Sequence, residues 1–349
     1  MPPSSHGTRA GEAIACEAAL ADSSVMTPAG SPRLPYPDLP ALLRTDIEAA
    51  LGSPVATVTG CTGGFSPGTA AVLTSSDGTR AFVKAVGTPL NPDTPDLHRT
   101  EARVAAALPP DLSAPRLRWW TERDVGGDVW VALLFDAVDG EPPALPWTPA
   151  AAARIVPVLT DLARAGTPCP VPGLPTLPDR LAGEPAAWQA LADRPPADLD
   201  PWERRHLDRL AATAGRLTAS GGLSGETLVH LDVRADNLLV TADGAVFVVD
   251  WPWAARGAAW VDTVLFALDP AVHGGVDPEM LVADSPVLAG ADPADVTDLL
   301  LALTGTWAQE MRRPPPPGLP TVRDFQRGFH DAALAWARRR VDGGLARPR

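Results

Sequence analysis

Lysine is nearly missing from this sequence: of 29 basic residues in a chain of 349, Lys84 is the one lysine and the rest are arginine. Asparagine occurs twice, as Asn91 and Asn237. Ala, Pro and Arg are abundant where Lys, Asn and Ile are scarce, the mark of a GC-rich coding bias. Under that bias, positions where Lys and Asn survive are places to look for chemistry. Cysteine is scarce too. Cys16, Cys61 and Cys169 are odd in number, widely spaced and form no Cys-x-x-Cys, so neither a disulfide framework nor a cysteine zinc site is expected. No apolar run reaches the length of a membrane span, and the N-terminus lacks the basic segment and apolar core of a secretory signal. A cytoplasmic protein is therefore expected. Positive charge is also in deficit. With 42 acidic residues the net charge is −13, which argues against nucleic acid or an anionic membrane as partner and permits a cationic small molecule.

What is present is an ordinary globular composition, 45% hydrophobic and 20% charged, in a length that suggests two domains at about 150 residues each. Residues 1–38, rich in Ser, Pro, Gly and Ala, read as a disordered extension in which Met26 is a second candidate start. Residues 39–137 read as a small, mostly β lobe. A helix runs from Leu39 to Leu51, and strand-like alternation runs from Val55 to Val86 around a Gly-rich stretch at 63–68 and an Asp77-Gly78 turn. A helix over 95–108, capped by Thr94, and strands near 115–121 and 129–135 complete it. Residues 138–349 change texture to Ala/Leu/Arg helices expected at 149–165, 201–219, 260–268, 293–312 and 321–341, with a Pro-rich segment at 167–200.

The densest chemistry lies in the second part. His230-Leu231-Asp232-Val233-Arg234-Ala235-Asp236-Asn237 leads from a short apolar run into a loop, followed by Leu238–Val240, an Asp243-Gly244 turn and Ala245–Asp250. If Asp243-Gly244 is a two-residue hairpin loop, the register places Asn237 opposite Asp250 at the open end, on one face. An amide oxygen and a carboxylate there suit a hard cation such as Mg²⁺. A one-residue slip would separate them.

The first part holds a matching pair. Lys84 shares a strand face with Phe82 and Val86, and Glu101 shares a helix stripe with Leu97, Val104 and Leu108. Opposite charges on two apolar faces are expected to meet, because a buried charge needs a partner. The loop Gly63-Gly64-Phe65-Ser66-Pro67-Gly68 precedes them, with glycines that let backbone N–H groups approach phosphate oxygens. The same stretch matches the Gly-x-Ser-x-Gly elbow of α/β-hydrolases. That identity fails because Pro67, after the serine, has no N–H to donate to an oxyanion, and strands rather than a helix follow.

On these residues the sequence resembles the aminoglycoside phosphotransferase and kinase-like small-molecule phosphotransferase family. The carriers are His-x-Asp-x-x-x-x-Asn at 230–237, Asp250 within Val-Val-Asp-Trp, Gly257 and Asp262, and the order of Lys84 and Glu101. The resemblance implies an α+β, protein-kinase-like bilobal fold and ATP-dependent transfer of a phosphate to a small-molecule hydroxyl. It implies that Asp232 orients or deprotonates the acceptor, that Asn237 and Asp250 bind Mg²⁺, and that Lys84, steadied by Glu101, meets the nucleotide phosphates. Gly63, Gly64, Ser66 and Gly68 would cover those phosphates, and the hinge from Leu134 to Val138, with Phe135, would meet the base. Arg234 would lie near the transferred phosphate. His230 joins the catalytic-loop set chiefly as a brace.

Leu231 departs from the family's frequent Gly, and Trp251-Pro252 from the Phe-Gly of protein kinases. The absence of Ala-Pro-Glu and the few residues between Asp250 and Asp262 argue against a protein substrate. The alternative from another class is a nucleotide-binding pseudoenzyme that regulates a partner, against which the complete Asp232, Asn237 and Asp250 set counts. Trp residues such as Trp251 and Trp253 are expected in packing. The acidic Asp269, Asp277, Glu279 and Glu310, which could attract a cationic acceptor, are expected on solvated faces.

Overall fold

The computed structural model describes residues 33–61, 67–182, 186–315 and 321–343. An antiparallel sheet is built from β1 (Val55–Gly60), β2 (Thr69–Ser75), β3 (Arg80–Gly87), β4 (Leu117–Val125) and β5 (Asp128–Asp136), in the order β1-β2-β3-β5-β4. Alternation along β3 and β5 divides the apolar residues between two faces. Ala81, Val83, Ala132 and Leu134 pack under the Ala41–Leu51 helix through Leu43, Ile47 and Leu51. Val131, Leu133 and Phe135 pack against Ala102 and Ala105 of the Thr94–Ala107 helix. Lys84 lies opposite Leu133 in the ladder, and so on the face that meets the second helix.

Of the expected extension 1–38, residues 1–32 lie outside the described residues. Residues 33–38 do not follow the expectation: Tyr36 is buried in the same cluster as Leu43, with Leu34 packed against it, and Thr69 Oγ1 donates to the Leu34 carbonyl at 2.7 Å. An aromatic ring and a leucine with an apolar sheet to cover account for that. The Thr94–Ala107 helix is capped differently from the sequence expectation. Asn91 Oδ1 accepts the N–H groups of Asp93 and Thr94 at 2.8 and 3.0 Å, so one of the two asparagines is a helix-start residue.

The rest of the chain is mainly helical, as expected, but its helices are broken more finely. The span 149–165 is two helices, Pro149–Ala153 and Ile155–Ala165. The span 201–219 is three, Pro201–Arg205, Leu207–Ala211 and Thr213–Ser220. The Pro-rich stretch contains Leu177–Arg180 and Ala186–Asp193. The Val261–Gly274 helix runs past Pro270, beyond the expected end at 268. Helices Pro293–Glu310 and Val322–Asp342 close the core, which gathers Trp188, Leu300, Phe325 and Trp336. Among the described residues, no helix is long and apolar enough to cross a membrane.

Candidate active site

The Lys84 ammonium joins the two parts of the molecule. Its Nζ donates to Glu101 Oε1 and Oε2 at 2.8 and 3.0 Å and to Asp250 Oδ1 at 2.6 Å. Burial alone would lower the lysine, but Asp250 and Glu101 outweigh it and hold the ammonium above its ordinary value. Burial raises Glu101 against the pull of Lys84. For Asp250 burial works in the same direction, but the ammonium wins and its carboxyl is held below the usual range.

The hairpin carrying Asp250 is not in the expected register. Leu238 pairs with Val248 and Val240 with Val246, and the Thr241 N–H bonds the Ala245 carbonyl at 2.9 Å. The loop therefore has three residues, Ala242 to Gly244, with Gly244 at φ 87° supplying the left-handed position that Asp-Gly would occupy in a shorter turn. Asn237 consequently lies opposite Val249, whose N–H it accepts at 3.0 Å. Asp250 departs from the strand through φ 69°, which takes its side chain out of the strand's alternation and into the cleft beside Lys84.

Asn237 Nδ2 donates to the main-chain oxygen and to Oδ2 of Asp232 at 2.8 and 2.9 Å. Those two bonds use the amide's donors and turn Oδ1 away from Asp232. Asp232 is buried, and burial first of all, then the charges of Asp236 and Asp250, push its carboxyl up to about 7 against the pull of Arg234. Arg234 is held by Asp236 at 3.1 and 3.0 Å, lies 3.4 Å from Asp232 Oδ1, and covers the Phe325 ring at 5.5 Å. Among the described residues, no group of three or more His, Cys, Asp or Glu side chains forms a metal cluster. An amide oxygen and one carboxylate are nevertheless the kind of donor set that Mg²⁺ uses when phosphate and water complete its shell.

His230 spends its ring on the backbone: Nδ1 accepts the Asp232 N–H at 3.1 Å, and Nε2 lies 3.0 Å from the Val249 carbonyl. Burial lowers its pKa to about 4, so the ring is neutral and its Nε2–H is the donor. The next residue, Leu231, takes φ 70°, a conformation that favours glycine, which explains the glycine common at this position in the family it resembles. Asp262 holds this turn. Its two carboxylate oxygens accept the N–H groups of His230 and Leu231, both at 2.8 Å.

Of the other sequence-derived residues, Gly63, Gly64 and Ser66 lie outside the described residues. Gly68 fits so closely that a Cβ there would meet the Ala85 carbonyl at 2.3 Å. Phe135 is opposite Phe82 in the ladder, and Val138, half-buried, follows the end of β5. Two expectations about acids are corrected. Asp269 is not on a solvated face but 2% exposed, and it accepts the Trp147 indole N–H at 2.7 Å and the Ala235 N–H at 3.0 Å. Glu310 is likewise engaged, with Arg313 and Arg323 at 2.7 and 3.2 Å. The sequence signal for Asp269 was its place seven residues after Asp262, two helical turns along.

The model of the phosphotransferase enzyme family matches residues 57–294, more than half of the chain. The chain belongs to that family. No protein of curated function matches it in sequence. Among solved structures it is similar to an aminoglycoside phosphotransferase from Alicyclobacillus acidocaldarius, with 18% identity and a TM-score of 0.51 over 83% of this chain and 93% of that one. A choline kinase from Streptococcus pneumoniae matches with 16% identity and a TM-score of 0.53 over 87% of this chain and 98% of that one. A spectinomycin phosphotransferase solved with ADP and spectinomycin matches with 13% identity and a TM-score of 0.52 over 84% and 97%. At such identities the likeness is one of fold, and the fold is kinase-like.

Proposed function

We propose that this protein moves the γ-phosphate of ATP to a hydroxyl of a small molecule, an aminoglycoside-like compound or another amino or sugar alcohol. The observation that carries this is the single ammonium of Lys84 held between Glu101 and Asp250, with Asp232 and Asn237 bonded to each other on the adjoining loop. Residues 39–137 would form the nucleotide lobe and residues 138–349 the lobe for the acceptor, with the hinge at Leu134 to Val138 meeting the base.

In the reaction the acceptor oxygen forms a bond to the γ-phosphorus while the bond from that phosphorus to the β–γ bridging oxygen breaks, releasing ADP. The hydroxyl proton goes to the Asp232 carboxylate, whose burial makes it a better proton acceptor than an exposed aspartate. Lys84 neutralises the nucleotide phosphates, and Glu101 fixes its position. Asn237 Oδ1 and Asp250 would hold Mg²⁺, which supplies charge neutralisation at the phosphates. Arg234, fixed by Asp236, organises the loop beside the transferred group, and His230 braces it.

The similar structures include phosphotransferases of aminoglycosides and spectinomycin and a kinase of choline. Each acceptor class is tested by ATP consumption against a panel of aminoglycosides, sugars and amino alcohols. Turnover rising for one compound class and vanishing in Asp232→Ala supports the proposal. Stabilisation by Mg-ATP with no acceptor-stimulated turnover would favour the pseudoenzyme.

A further inference from the structure

The Val261–Gly274 helix presents Asp262 and Asp269 two turns apart, and so on one side. Asp262 takes the N–H groups at the start of the catalytic loop. Asp269 takes the Ala235 N–H near its end, immediately before the short turn Ala235–Asn237 that delivers Asn237. The same Asp269 oxygen also receives the Trp147 indole N–H.

Trp147 belongs to the connector between sheet and helices, and it is docked along this helix in three further ways. Its N–H bonds the His273 carbonyl at 2.9 Å, and its ring meets Phe266 edge-on with centroids 5.6 Å apart. Gly274 lies so close that a Cβ there would be 2.4 Å from the Trp147 carbonyl oxygen. On its other side, Asp269 Oδ1 lies 3.6 Å from His273 Nε2. A buried carboxylate gains most of its stabilisation from such donors, and the donors are in turn fixed in place by it.

We infer that Asp269 is a positioning residue for the transfer proposed above, one carboxylate that holds both the Arg234–Asn237 end of the catalytic loop and the connector at Trp147. It is 2% exposed and acts through the backbone of Ala235. Its inclusion with the phosphotransfer chemistry rests on the proposed function, whereas its hold on the loop does not.

Two measurements test this on the full chain. In the first, kcat and KM are determined well below the melting temperature for Asp269→Leu and Asp269→Asn. Asp269→Leu is expected to lower kcat about 10- to 100-fold with the KM for ATP changed less than about twofold. Asp269→Asn, which keeps an acceptor oxygen for Ala235 and Trp147, is expected to recover most of kcat. A role in stability alone would lower the melting temperature in both variants and leave kcat per folded molecule unchanged. In the second, hydrogen exchange is followed in peptides covering 230–237, where Asp269→Leu is expected to exchange faster than the wild type.

Wild-type kcat together with wild-type exchange in Asp269→Leu would overturn the inference. So would an Asp269→Asn variant with intact kcat and a raised acceptor KM, which would assign the carboxylate to a cationic acceptor instead. Should Asp269→Leu not fold, Asp269→Ser, too short to reach the Ala235 N–H, carries the same expectations. If the wild type phosphorylates no acceptor, the proposed function fails, and the exchange comparison still decides whether Asp269 holds the loop.

Discussion

Lys84 Nζ and Asp250 Oδ1 lie 2.6 Å apart although 166 positions separate them in the chain. This bond and the paired bonds to Glu101 make the lone lysine of the sequence a point at which sheet and helical region are tied. A compact ammonium suits that place, since its three donors can be shared between two carboxylates from different elements.

Lys84→Arg keeps the charge but needs more room and offers a planar fork. It is expected to lower kcat/KM for phosphoryl transfer at least about 100-fold, measured with the acceptor identified by the substrate panel. Lys84→Met leaves Glu101 buried without its cation and should cost about 3–5 kcal/mol of stability. Adding Glu101→Gln should restore part of that loss in denaturant titrations.

Asp232→Asn preserves shape and removes the proton acceptor of the proposed transfer. The expected loss is about 10²- to 10⁴-fold in kcat, with thermal stabilisation by nucleotide retained. Loss of nucleotide binding to the same degree would place Asp232 in ground-state binding instead.

Leu231→Gly sets two effects against each other. Glycine relieves about 1–2 kcal/mol of left-handed strain at φ 70°. It also removes a side chain that is 7% exposed and packed in the main core, which costs about 2–5 kcal/mol. The core loss is larger, so the variant is expected to be less stable even though the backbone favours glycine. An increase in denaturation midpoint would show that strain dominates.

His330 contributes one part of the pH dependence of stability. Its Nε2 lies 2.8 Å from Glu203 Oε1 and its Nδ1 2.8 Å from Asp331 Oδ1. Burial lowers the imidazole, but the two carboxylates outweigh it and raise its pKa from 6.5 to about 9. The proton is thus bound more tightly in the folded state. Its stabilisation is complete below pH 6.5 and is lost as pH rises through about 9. The melting-temperature difference between wild type and His330→Gln should be flat in acid and shrink across that window. A difference that grows with pH would refute the assignment.

Much of this was legible in the sequence because burial leaves periodic traces. Lys84 and Glu101 could be paired because each interrupts an apolar face, and the structure joins them. The hairpin was legible, but not its register: Asp243-Gly244 fits either a two-residue turn or the last two positions of a three-residue loop, and only the ladder shows the latter. Asp250 reaches the cleft through a left-handed backbone that no residue pattern announces. Asp269 is illegible for a different reason. An acid on an apolar helix reads as solvated unless its donors are known, and these come from Trp147 and Ala235, far away in sequence. The short helices within 167–200 were hidden by proline, which serves equally at the first turn of a helix and in a loop.

The spacing of Asp262 and Asp269 also sets a length that this part of the chain must keep. Each residue added or removed between them would turn one carboxylate by about 100° around the helix and carry it away from the N–H groups it serves. The six residues from Thr263 to Leu268 therefore form a fixed gauge between the two loop contacts. Insertions there should be purged even where every individual side chain is replaceable.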